Sequence, residues 1–168
     1  MNGLILFSVG SPQTRVNFNK SILNGYKMDE VSQFIDEDLL KGIDIQNNHL
    51  YFWGCKSSKY YERKIPKVNR GDTIAFSVKK EFIVKGKIIA VANNKALSKF
   101  LWGDEQYSHI LIISDIEKIS LPYSVLFNEI GYSPIAKITG LVLVDNAKLK
   151  HLNAEYRSVD EYLKKYIV

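Results

Sequence analysis

The sequence predicts a β-rich α+β fold on three observations. Apolar segments of strand length outnumber long helical periodicities, the clearest strands are joined by short turns, and the chain is long enough for one hydrophobic core. At 168 residues, with 46% apolar and 24% charged residues, the composition is that of one compact unit and excludes disordered or fibrous architectures. The short connections suggest a sheet that is closed or nearly closed, with helices packed around it.

The first strand is expected from about Leu4 to Val9, ended by Gly10-Ser11-Pro12 and followed by a loop. Its opening carries no basic leader and no small-residue cleavage site, so it reads as a strand rather than a signal peptide. Val31, Phe34, Ile35 and Leu39 recur at helical spacing, with Asp29 and Glu30 in the first turn and Gly42 as a stop. They predict an amphipathic helix over about 28–40 with an acidic outer face. A short aromatic strand follows, His49 to Trp53, then a helical turn, Tyr60 to Ile65, closed by Pro66.

Arg70-Gly71-Asp72 reads as a turn into a strand, Thr73 to Val78, that pairs as a hairpin with Phe82 to Val91 across Lys79-Lys80. Asn94 is placed to cap a short helix that turns Leu97, Phe100 and Leu101 inward, with Trp102-Gly103-Asp104 just after it. His109 to Ser114 is apolar enough for burial on both faces. Leu121-Pro122 opens a helix reaching Ile130 and capped by Gly131. Ile138 to Val144 is the last strand, and Ser158-Val159-Asp160-Glu161 is a capping box for a terminal helix to Tyr166.

Charge is unevenly spread. Residues 53–99 hold 12 of the 23 Lys and Arg but three acids (Glu62, Asp72, Glu81), a local net of +9 that leaves −4 for the remainder. A basic middle between acidic flanks is the footprint of a polyanion-binding face, since each neutralised phosphate releases counterions. No apolar stretch has the length of a bilayer span. The lone Cys55 lacks an intramolecular partner, and a cytoplasmic location is expected.

Catalytic constellations are sparse. Neither a phosphate-cradling glycine loop nor a dinucleotide fingerprint is present, and His49, His109 and His151 are isolated from one another and from acidic clusters. No metal, cofactor or catalytic residue is therefore expected. Cys55 beside Lys56 reads as a packing residue. One enzymatic alternative remains: Asp44, Glu62 and Lys64 occur in the order of a magnesium-dependent nuclease core.

Trp53 precedes Gly54-Cys55 and Trp102 precedes Gly103-Asp104, so each indole sits where regular structure gives way to a small residue and then a polar one. Flat aromatic faces are natural partners for a base removed from its stack, and a methyl group on that base adds apolar area to bury.

Here the chain resembles the YTH and EVE domains of the PUA-like group, which read modified bases. Ile5-Leu6-Phe7-Ser8 is similar to the opening strand that ends in a pocket serine. Trp53-Gly54-Cys55 stands where those domains have Trp-Ser-Thr. Gly71-Asp72-Thr73-Ile74-Ala75-Phe76-Ser77-Val78, followed by Phe82 and Gly86, resembles their central hairpin. Leu101-Trp102-Gly103, Tyr107 and the strand to Ser114-Asp115 resemble the second cage tryptophan and the strand after it, and Leu121-Pro122 fits the next segment. Residues 24–48 look like a helical insertion, and Gly54-Cys55 lacks the hydroxyls of Ser-Thr.

The resemblance implies a single domain over 1–168, with 158–168 a terminal helix that leads into a linker. It implies a base cage of Trp53 and Trp102, with Phe76 or Leu101 as a third wall. Ser8, Ser77, Asp104, Asp115, Gly54 and Cys55 would read the base edge; Asp104 would accept from an exocyclic amine. Lys56, Lys59, Arg63, Lys64, Lys79, Lys80, Lys95 and Lys99 would bind phosphates, which position the strand without specifying sequence. The implied ligand is DNA carrying a modified base, as for the N-terminal specificity modules of McrB-type restriction proteins, whose GTPase motor and nuclease lie in other domains or subunits. Modified RNA, read by a free-standing EVE or PUA-type protein, is the alternative.

Overall fold

The protein is described from a computed structural model covering residues 2–168. In chain order the elements are β1 (Leu4–Ser8), α1 (Pro12–Phe18) running into a π-helical turn (Asn19–Asn24), β2 (Tyr26–Lys27), α2 (Met28–Val31), β3 (His49–Cys55), α3 (Lys59–Lys64), β4 (Thr73–Val78), β5 (Glu81–Asn93), α4 (Lys95–Trp102), β6 (His109–Pro122), α5 (Tyr123–Ile130), β7 (Leu141–Leu143), α6 (Asn146–Tyr156) and α7 (Val159–Lys164). The strands hydrogen-bond in the order β2-β3-β6-β5-β4-β1-β7. This is the expected mixed α+β class, but the nearly closed barrel is corrected to an open sheet. Closure needs a ladder between the outer strands, and here those are the two-residue β2 and the three-residue β7.

The chain divides into two compact units through which β5 and β6 both run. The first comprises the N-terminal residues through Gly10, Gly71–Gly86 and Glu117–Val168. In it β1 lies parallel to β4, Leu4 opposite Thr73, and antiparallel to β7. Leu4, Leu6, Ala75 and Phe82 pack with Leu126, Phe127, Leu149, Leu152 and Tyr162 from α5, α6 and α7. Lys85 is buried in this unit, its Nζ 2.9 Å from Glu117 Oε1 and 2.7 Å from Asp160 Oδ1. The pairing compensates a charge that would otherwise be costly to bury.

The second unit comprises Ser11–Arg70 and Lys87–Ile116. Its β3 pairs antiparallel with β6, Trp53 opposite Leu111 and Gly54 opposite Ile110. Leu50, Phe52, Ile110 and Ile112 meet Leu97, Leu101 and Trp102 of α4, and Val31 and Ile35 cover the same cluster.

Several elements differ from expectation. The long helix over 28–40 breaks into α2 and two 3-10 turns, because Ile35 is extended (φ −113°, ψ 130°) and Asp36 caps a new turn through Asp38 N. The loop expected after Gly10 is α1, with Ser11 as N-cap in a capping box with Thr14 and Pro12 in the first turn. Helix α6 was not anticipated, and β6 runs on to Pro122 through Asp115, whose φ of 55° is left-handed. Among the described residues no helix is long and apolar enough to cross a membrane.

Candidate nucleic-acid interface

Three of the residues expected to contact a base, Trp53, Gly54 and Cys55, end β3, and Trp102 packs on Gly54; Ser8, Phe76 and Ser77 belong to the first unit. In an extended strand successive side chains leave opposite faces. A Cβ built on Gly54 would meet the Trp102 ring at 2.5 Å and the Tyr107 Cβ at 2.7 Å, so the missing side chain is what lets the indole lie on the strand backbone. Trp53, the next residue back, therefore projects from the other face, where its ring meets Phe18 edge-on at 6.3 Å. The expected pair of facing tryptophan walls is corrected accordingly: the two indoles lie on opposite sides of β3.

Trp102 ends α4 and is followed by Gly103 in the left-handed conformation (φ 73°), which closes the helix. Its Nε1 donates to Ser21 Oγ at 3.2 Å, and its ring meets Tyr107 edge-on at 5.9 Å. Lys56 Nζ lies 5.9 Å from the centre of the Tyr107 ring. Trp53 and Trp102 are both buried, at 2% and 7% exposure. Leu101 is buried beside Trp102, and its carbonyl accepts from the Tyr26 hydroxyl at 2.9 Å. Phe76 is fully buried in the first unit, with its ring 6.4 Å from Phe7. Neither offers an open third wall.

The polar candidates divide similarly. Asp104 is exposed, but its carboxylate accepts from the backbone N–H of Gln106 at 2.9 Å and from the Gln106 side-chain amide, so it caps a 3-10 turn (Glu105–Tyr107). Ser77 is buried against the Tyr123 hydroxyl, and Ser8 is half-buried opposite it in the β1–β4 register. Asp115 and Gly54 are half-buried. Burial pushes the Cys55 thiol up to about 12, so it stays protonated and unreactive at neutral pH.

The cations expected to meet phosphates lie mostly at the surface. Lys56, Lys59, Arg63, Lys79, Lys80, Lys95 and Lys99 are exposed, and Lys64 is half-buried. On α3, Lys59, Arg63 and Lys64 share one short helix with a single acid, Glu62, and Lys64 Nζ lies 4.0 Å from the centre of the Tyr60 ring. Lys79 and Lys80 form the two-residue β4–β5 turn with both residues left-handed (φ 49° and 63°). The nuclease alternative is not supported by this geometry. Glu62 and Lys64 lie on a helix, where residues two apart point away from each other. Among the described residues no three His, Cys, Asp or Glu side chains gather to hold a metal.

Ser21 and Tyr107, neither of them among the expected site residues, hold the Trp102 ring at its edge. Ser11-Pro12, an N-cap followed by a first-turn proline, was the available signal for the helix that delivers Ser21.

No protein-family model and no curated protein matches the sequence. Solved structures do match in fold. The N-terminal domain of Thermococcus gammatolerans McrB bound to m5C DNA superposes with a TM-score of 0.73 at 20% identity, over 93% of this chain and 98% of that one. The chain has a YTH/EVE-like fold. The YTH domain of the Zygosaccharomyces rouxii MRB1 protein, in complex with N6-methyladenosine RNA, superposes at 0.51 and 13% identity, over 92% and 86% of the two chains. In this YTH/EVE-like fold, the 24–48 segment expected as an insertion supplies β2, which pairs Tyr26 with Leu50 on the outer edge of β3.

Proposed function

We propose that the chain is a reader of modified nucleic acid, without catalysis of its own, and that its ligand is DNA carrying a methylated base. The observation that carries this reading is the near-complete fold match to a domain bound to m5C DNA. Exposed cations in the basic middle of the chain support it independently.

In this reading the base is taken at the half-buried Tyr107 and the Trp102 ring packed between it and Gly54; Trp102 is buried in this structure, so stacking on it requires the base to uncover the indole. Lys56 and the α3 cations Lys59, Arg63 and Lys64 follow β3 directly and take the phosphates, with Lys79, Lys80, Lys95 and Lys99 as further contacts. Trp53 supports the strand from behind. The whole of 1–168 acts as one reader domain in the cytoplasm, as the specificity module of a restriction system whose GTPase and nuclease are separate domains or subunits. A second reading, modified RNA, is favoured by the likeness to a YTH domain in complex with N6-methyladenosine RNA.

Equilibrium binding to single- and double-stranded DNA and RNA with and without N6-methyladenine, 5-methylcytosine or N4-methylcytosine separates these readings. A preference for methylated duplex DNA supports the restriction reader, and a preference for modified RNA supports the second reading. Magnesium-dependent cleavage of any of them would overturn a binding-only role.

A further inference from the structure

The second unit contains a cavity of about 280 Å³ that the base-reading site does not use. Its apolar lining comes from Phe34, Leu39, Val91 and Leu97, and Asp36 and Asn93 stand among the lining residues as exposed polar groups. The cavity is held open by hydrogen bonds rather than by chance packing. Asn94 Nδ2 donates to the Phe34 carbonyl at 2.7 Å, and Arg70 donates to the carbonyls of Leu39 and Ile89, each at 3.0 Å. Phe34 is further stacked on Phe100, 4.8 Å between ring centres. These contacts tie the wall contributed by residues 34–39 to the floor contributed by β5 and α4.

The electrostatics of this wall oppose those of the nucleic-acid face. Asp29, Glu30, Asp36, Glu37, Asp38 and Asp44 are all exposed, against only Lys27 and Lys41 over residues 26–48. Among the described residues none of these six carboxylates forms an ion pair, and Asp36 commits one oxygen to Asp38 N at 3.0 Å. Such a surface repels phosphate. With Asp36 among its lining residues, the cavity suits a cation with an apolar body.

We propose that this cavity is a docking site for a basic segment of a partner protein. It would take the aliphatic stem of an arginine or lysine against Phe34, Leu39 and Val91, with the cation at Asp36. The reader thus binds nucleic acid through its basic middle and protein against the acidic 34–39 wall, with Lys95 and Lys99 on α4, the helix that floors the cavity, as the phosphate contacts nearest to it in sequence.

The test titrates the ¹⁵N-labelled 168-residue chain with a short amidated peptide of alternating leucine and arginine, with its leucine-glutamate counterpart, and with spermine. Saturable shifts at Phe34, Asp36, Val91, Asn93 and Leu97 are expected with the basic peptide alone. Asp36→Asn, which keeps a capping side chain, should weaken that binding about tenfold. Ala92→Leu, which fills part of the cavity, should weaken it without displacing the acids. Neither variant should change nucleic-acid affinity. Equal binding to Ala92→Leu, shifts spread over the acidic surface but absent from Val91 and Leu97, or spermine binding as tightly as the peptide would each overturn the proposal. Concentration-dependent shifts at the same residues without peptide would overturn it in favour of a second copy of the chain.

Discussion

Gly54 and Trp102 are a matched pair: the strand residue has no side chain, and the indole occupies the space where its Cβ would stand, 2.5 Å from Cζ3. Gly54→Ala is expected to force the ring off the strand and cost about 1–3 kcal/mol of stability. Urea denaturation of Gly54→Ala, Trp102→Phe and the double variant checks it. The smaller ring relieves the clash, so the double variant should lose less than the sum of the singles. Additive losses would place the two residues out of contact.

The two tryptophans are expected to fail in different ways. Trp53→Ala leaves a void behind β3 and should cost about 3–5 kcal/mol of folding stability, whereas Trp53→Phe should fold and keep any methyl preference. Trp102→Ala, which empties a core position too, should carry a similar folding cost and in addition weaken binding of the modified base by about 1–3 kcal/mol in the protein that remains folded. Thermal melts and oligonucleotide titrations on the same preparations separate the two effects.

Lys79 and Lys80 occupy a turn that favours Asn-Gly, because both residues have positive φ. Replacing them by Asn and Gly should raise stability by about 1–2 kcal/mol while weakening binding to all sequences alike. The plot of log affinity against log salt should flatten by about two units. Weaker binding with lower stability would instead mark the turn as structural.

On α3, Lys59→Gln and Arg63→Gln should each reduce the salt slope by about one and leave the ratio of modified to unmodified affinity unchanged. Titrations at two salt concentrations measure both quantities. A change in that ratio would put these side chains at the base rather than the backbone.

Alkaline pH should expose the buried thiol. Desolvation raises Cys55 from 9.0 to about 12, so between those values the unfolded chain releases a proton that the folded chain keeps. The stability associated with the neutral thiol is complete below about pH 9 and declines as pH rises above it. Tyr61, pushed up to about 12 chiefly by burial and then by Cys55 and Tyr60, adds to the decline above pH 10. Cys55→Ala should therefore flatten the fall in melting temperature between pH 9 and 10. An unchanged slope would show a solvent-accessible thiol.

Much of the fold was legible because local signals agreed with tertiary structure. Thr73–Val78 is a strand at the expected limits, Asn94 accepts from Leu97 N at 2.9 Å as a cap should, and Gly131 closes α5 in the left-handed conformation. The misses have physical causes. Helix α6 anchors itself with only Leu149 and Leu152 buried, too weak a periodicity to read, and the acidic helix broke at an extended Ile35 that its apolar spacing concealed. The site was harder. Two Trp-Gly pairs look equivalent in one dimension, but the strand alternation at Trp53 and Gly54 sends one indole behind β3 and lets the other lie across it.

The affinity ratio between methylated and unmethylated oligonucleotides, measured for the unaltered chain and for Trp102→Ala at two salt concentrations, tests the base-reading role most directly. Burying one methyl group contributes about 0.8 kcal/mol, so a preference of about fourfold or more is expected for the unaltered chain. It should be the same at both salts and absent in Trp102→Ala. Equal affinity for methylated and unmethylated forms of every DNA and RNA tested, or a preference that survives in folded Trp102→Ala, would contradict it.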